Sequence, residues 1–152
     1  MSADNVAFLW LERDMNSENN IFPDSMITAD EDVDGNEFCI GRALVNKVMI
    51  PAKVVPKKNI AYVVNDGEQI AVKKFDILYV KQYKWVPCAD GEVPKGAIVG
   101  GEVSDDEKIY IERAEHEGVK VVGKVHPKLK KLFIPYGGKE IAYNHYEILV
   151  LH

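Results

Sequence analysis

The sequence predicts an all-β protein in which two copies of one antiparallel unit share a single core. Three observations predict it. The chain repeats itself, its apolar residues fall in short β-branched and aromatic runs between turn residues, and no stretch of 11 or more residues keeps helical apolar spacing. The repeat emerges when the chain is slid by 71 positions, so that Pro23–Val80 lies over Pro94–Leu151 without a gap. Of those 58 pairs 17 are identical, among them Ile40/Ile111, Arg42/Arg113, Lys53/Lys124 and Leu78/Leu149, where chance would supply only a few. Trp10 matches Trp85 at a spacing of 75, which puts a four-residue insertion in the opening loop of the first copy, at Asn16–Asn20. The copies are thus 7–80 and 83–151 of one unit spanning 1–152. Units this small are marginal alone, which is the reason to expect a common core.

Taken in order, the first copy offers strands at Phe38–Ala43, Val48–Val55, Ile60–Val64 and Asp76–Val80. The second offers them at Lys108–Arg113, Leu132–Pro135 and Glu147–Leu151. Each is a run rich in β-branched or aromatic residues. Turns are marked by Asp34-Gly35-Asn36, Asn65-Asp66-Gly67, Asp90-Gly91 and Gly137-Gly138, residue types that tolerate positive φ or hydrogen-bond their own backbone. Strands recurring every 8–12 residues or so indicate a sandwich or a prism-like barrel.

Composition narrows the function classes. At 47% hydrophobic and 28% charged residues the chain can build a core, so wholesale disorder is excluded. No run approaches the roughly 18 apolar residues that a helical membrane span needs. Met1–Asn5 carries an acid where a leader carries Lys or Arg, and the apolar run Val6–Leu11 is short for a signal segment. The expected location is therefore cytoplasmic or vesicular, with any release following a non-standard route. A net charge of −5 argues against nucleic acid as a partner. Cys39 and Cys88 form no C-x-x-C pair, and two unpaired thiols in a reducing compartment are expected.

Charge is patterned like the repeat. Eight acids and no Lys or Arg lie from Asp14 to Glu37, followed by an acid-free stretch from Phe38 to Asn65 with Arg42, Lys47, Lys53, Lys57 and Lys58. The second copy is acid-rich from Glu102 to Glu117 and then acid-free, with lysines only, from Lys120 to Lys139. Acidic and basic arms recurring in this order either face one another or form solvated faces of mixed sign.

Sites of catalysis and metal binding find little support. Asp30–Gly35 opens like a calcium loop, yet position 8 is Glu37 and position 12 is Gly41, so an acidic hairpin loop is preferred. His116, His126, His145 and His152 form no H-x-H or H-x-x-x-H pair. No nucleophile elbow or phosphate loop is present. The expectation is a protein that is no enzyme and carries no metal or cofactor. Arg42 and Arg113 are expected to pair structurally with Asp76 and Glu147, and Trp10 and Trp85 to belong to the core rather than stack on a ligand.

The pieces Trp85-Val86-Pro87, Asp90-Gly91-Glu92-Val93-Pro94-Lys95-Gly96, Ile109–Ala114, Gly123-Lys124-Val125, Tyr136–Glu140 and Tyr146–Leu149 resemble the DM9 repeat. The first copy shares Phe38–Ala43, Pro51-Ala52-Lys53 and Phe75–Leu78. DM9 repeats occur in tandem in invertebrate proteins and in the lectin-like part of natterin-type toxins. A stand-alone tandem is similar to the mannose-binding DM9 lectins of oysters and to related insect and fluke proteins. The resemblance implies an all-β fold with pseudo-two-fold-related repeats, a homodimer, and calcium-independent binding of mannose or mannosylated glycans in innate immune recognition. It assigns the sugar chiefly to Asp32 and Lys53. In the second copy Val103 and Lys124 stand at those positions, so a second sugar site would need Glu102 or Asp105 beside Lys124. An intracellular, vesicle-associated stress or infection-responsive interaction protein with a vestigial sugar site is the alternative.

The chemistry fits an aspartate–lysine pair. A carboxylate accepts two hydroxyl hydrogens and an ammonium donates up to three hydrogen bonds, and charge assistance roughly doubles their strength. Such a shallow site binds one sugar weakly, about millimolar, and a dimer on clustered glycans would gain about 10²–10⁴ by avidity.

Overall fold

A computed structural model describes residues 8–14, 28–31, 37–65, 67–80, 82–104, 107–126 and 129–152. Strands β1 to β7 come from the first copy: Phe8–Asp14, Thr28–Glu31, Glu37–Val45, Val48–Val55, Ile60–Asn65, Glu68–Val72 and Lys74–Val80. Strands β8 to β15 come from the second: Tyr83–Ala89, Val99–Ser104, Glu107–Tyr110, Glu112–His116, Val119–His126, Lys131–Tyr136, Lys139–Tyr143 and His145–Leu151. Among the described residues the only helical piece is a single 3-10 turn, Pro56–Lys58. None is a helix long and apolar enough to cross a membrane.

Twelve strands form one antiparallel path, β1-β7-β3-β4-β5-β6-β14-β13-β12-β11-β15-β8, with β2 attached beside β3. Strands β9 and β10 form a separate two-stranded ribbon. The path reads the same from either end once each strand is replaced by its counterpart in the other copy, 71 residues on, or 75 for β1 and β8, which is the expected pseudo-two-fold. At its middle β6 meets β14, with Glu68 directly opposite Lys139, two residues that are themselves counterparts. The Gly67 N–H donates to Glu140 Oε2 across the same junction at 3.2 Å.

Local sequence explains the hairpins. Between β3 and β4 the two-residue turn Asn46-Lys47 has φ of 50° and 68°, and between β11 and β12 the turn Glu117-Gly118 has 51° and 82°. Two successive positive φ angles match the twist of tight hairpins. On β7 and β15 the alternation of buried and half-buried residues breaks at Ile77-Leu78 and Ile148-Leu149, where adjacent residues are both buried. Adjacent strand residues point to opposite faces, so these strands are covered on both sides.

The buried side chains form three clusters. One, with Cys39, Ala43, Ile50, Val54, Val63, Phe75 and Ile77, belongs wholly to the first copy. A second sets Phe38 and Val55 among second-copy residues such as Val121, Leu132, Ile134 and Ile148. The third is central and joins the counterpart pairs Ile40/Ile111 and Leu78/Leu149, with Trp10 and Trp85 at its margin. The copies therefore share apolar interior, as their small size requires.

One expected strand is divided. Lys108–Arg113 separates at Ile111, whose N–H donates to Ile98 O at 3.1 Å while its C=O accepts from Leu149 N–H at 2.9 Å. Before it, β10 pairs with β9; after it, β11 pairs with β12 and β15. The first copy keeps the equivalent stretch continuous as β3.

The two copies also cross over. Strand β9 lies against β4 so closely that a Cβ on Gly101 would run into the Met49 backbone, and one on Gly100 would press on Pro51. Part of the acidic arm of the second copy is thus laid on the basic arm of the first.

Candidate functional site

Lys53 sits in the interior of β4, with Ile40 of β3 and Tyr62 of β5 as its Cα partners. Its side chain is half-buried, and Nζ lies 4.9 Å from the centroid of the fully buried Phe38 ring. The ring face attracts the ammonium, and the apolar stem packs while the charge stays near water. Asp32 lies outside the described residues. The strand before it, β2, ends at Glu31, which pairs with Glu37.

Of the second-copy candidates, Lys124 occupies β12 opposite Phe133 and is half-buried like Lys53. Glu102 is exposed on β9, opposite Lys108. Among the described residues Glu102 and Lys124 share no ion pair. Asp105 lies outside the described residues, as do the insertion at Asn16–Asn20 and most of the calcium-loop-like run. Among the described residues no group of three or more His, Cys, Asp or Glu side chains is arranged to hold a metal.

Both expected arginine pairs are present. Arg42 Nε lies 2.8 Å from Asp76 Oδ2, and Arg113 Nε lies 3.0 Å from Glu147 Oε1. Each guanidinium also covers a tryptophan, Arg42 at 4.1 Å from the Trp10 ring centroid and Arg113 at 3.9 Å from that of Trp85. The tryptophans are half-buried, with one flank on the central cluster and a face under the arginine. In the second copy Lys120 adds a contact to Glu147 at 3.7 Å; Met49 takes its place in the first. Arg113→Ala should lower stability by about 1–3 kcal/mol, since it removes a partly buried ion pair and the tryptophan's cover together. Arg113→Lys should restore little of it, because an ammonium cannot both stack flat and present a planar fork. Thermal unfolding, with a shift in tryptophan emission, checks both.

Of the histidines, His116 ends strand β11. Its Nδ1 lies 2.6 Å from the Tyr143 hydroxyl, and its ring meets Tyr136 edge-on at 4.5 Å. These contacts hold it as a packing residue. Cys39 and Cys88 are both free thiols. Burial pushes Cys39 up to about 12, which keeps it protonated and unreactive.

Sequence reading missed Glu112. This glutamate on β11 is 3% exposed, and its Oε2 has no hydrogen-bond partner among the described residues. Burial raises its carboxyl from the ordinary value of 4.5 to about 8. Nearby, Gly91 N–H donates to the Tyr146 hydroxyl at 3.0 Å, tying the Asp90-Gly91 turn to β15. The available signal was the repeat itself, because the counterpart of Glu112 is Gly41.

Comparison with known proteins adds three findings. A family profile described as the DM9 repeat matches residues 32–150. Natterin-3 of Thalassophryne nattereri is 38% identical over 69 residues, which are 45% of this chain and 16% of Natterin-3. The crystal structure of the nematode sperm cell motility protein MFP2B superposes with a TM-score of 0.62 at 14% identity, over 95% of this chain and 45% of that one. At that identity the likeness is one of fold. The chain spans less than half the length of either protein.

Proposed function

The chain belongs to the DM9-repeat family, and from that premise we propose that it is a non-enzymatic, calcium-independent lectin for mannose or mannosylated glycans. Asp32 accepts sugar hydroxyls and Lys53 donates to hydroxyl or ring oxygens. The observation carrying this reading is Lys53 itself. At the position that the family resemblance assigns to sugar, Lys53 is half-buried on β4 and its stem is packed, with Nζ 4.9 Å from the Phe38 ring centroid. Pre-ordering lowers the entropic cost of binding. The second copy has Val103 in place of the aspartate, so one principal sugar site per chain is the expected stoichiometry. Homodimerisation would bring two such sites onto clustered glycans, in a role of pattern recognition.

Calorimetric titration with mannose tests the reading. Wild type should bind with roughly millimolar affinity, and Asp32→Ala and Lys53→Ala should each weaken binding about tenfold or more. Equal heats in all three proteins reject the site, and unchanged binding in a chelator keeps calcium out of it.

A further inference from the structure

The second copy holds a cavity of about 170 Å³ between β10, the end of β12 and the Asp90-Gly91 turn. Glu112 lines it, almost wholly withdrawn from solvent, with Oε2 unpartnered among the described residues. Val93, Ile109 and Val125 supply apolar wall. Glu107 and Lys108 of β10, together with Lys130, line it as well. Lys108 and Lys130 are exposed, and the Lys130 stem faces Gly91, so their charges belong to the wet mouth.

The first copy has no such carboxyl. At Gly41 even a methyl group would strike the Asp76 carbonyl and Val54. The duplication preserved arginine, tryptophan and acid in both halves but set a buried glutamate with an unpartnered oxygen in one. Buried polar atoms in proteins are nearly always paired, and a lone acceptor inside an apolar wall is complete only when a donor arrives.

We propose that this cavity is a binding site for a small organic cation, an alkylammonium or guanidinium group on a short apolar body, whose nitrogen pairs with Glu112. The apolar body fits against Val93, Ile109 and Val125. A cation supplies both the missing donor and the countercharge that lets the carboxyl ionise where it is buried. An anion would meet the lysines only at the mouth and a buried acid within. Lys53 does not line this cavity, and the proposal does not depend on the sugar reading.

Calorimetry on the full chain with n-propylammonium as the probe, and 1-propanol as its neutral match, tests the proposal. Propylammonium should bind and propanol should not. At pH 7 the heat should vary with the ionisation enthalpy of the buffer, reporting release of close to one proton. Affinity should rise about tenfold per pH unit up to about 8 and level off above. Among the described residues, the other ionisable groups around Glu112 are Cys88 on β8, Tyr146 on β15, Asp90 and Glu92 beside the turn, and Glu107, Lys108, Tyr110 and Lys130 at the cavity. Burial raises the Cys88 and Tyr146 values, so both stay protonated through that range. Glu112→Gln, which keeps the shape, should weaken binding at least tenfold and abolish the proton release. Equal affinity in wild type and Glu112→Gln, absence of propylammonium binding, or equal binding of propanol each overturns the proposal.

Discussion

Glu112→Gln should stabilise the unliganded protein at pH 9 by a few kcal/mol, about 5 at most, and leave its stability nearly unchanged at pH 4. The sign follows from the raised carboxyl. Between about 4.5 and 8 the folded chain keeps a proton that the unfolded chain has lost, so Glu112 makes stability fall as pH rises through that window. Below it both states are protonated and there is no penalty. Above it both are ionised, and the folded state bears the whole cost of a buried charge without a partner. At about 1.4 kcal/mol per pKa unit the shift sets the ceiling given above, and relaxation of the surroundings lowers it. Urea unfolding of both proteins at pH 4, 7 and 9 checks the prediction. Parallel pH profiles for the two would show that Glu112 is not buried as charge.

Leu149→Ala should cost about 2–5 kcal/mol, and so should Leu78→Ala. Both leucines are fully buried in the central cluster, together with Ile40 and Ile111. The pair of substitutions separates two pictures of the molecule. If each copy had its own interior, the losses would add within about 0.5 kcal/mol. In a shared cluster the second truncation acts on a site already loosened by the first, and the double variant should depart from the sum by about 0.5–3 kcal/mol. A double-mutant cycle by denaturant titration, run on a single transition for the whole chain, gives the answer.

Much of this architecture was legible because duplication doubles the signal. Arg42/Arg113 and Asp76/Glu147 recur at one spacing, and the structure pairs them as that recurrence suggested. Val48–Val55 was readable to the residue as β4, since a β-branched run ends at a proline that starts the 3-10 turn. Strands β6, β8 and β14 were not readable. Each is half-exposed and mixes charged with apolar residues, and β8 even contains Pro87, so no run stands out from its surroundings. The division at Ile111 was hidden as well, because it depends on Ile98 and Leu149, far away in sequence, claiming that backbone. Of the candidate site, Lys53 was reached through the family resemblance, and its match to Lys124 in the repeat placed it on a strand. The pocket of Glu112 could not, because a glutamate among strand residues looks solvent-facing until the neighbouring turn and ribbon close over it.

The junction where β6 meets β14 bears on whether the halves are interchangeable. Counterparts that meet across a two-fold axis are, in a true dimer of identical chains, the same residue facing itself. Here they are a glutamate and a lysine. A chain assembled from two first halves would set carboxylate against carboxylate at the seam, and one from two second halves ammonium against ammonium, each a destabilising arrangement. Divergence has biased this seam toward the mixed pairing, so that a first half meets a second half in preference to another first half.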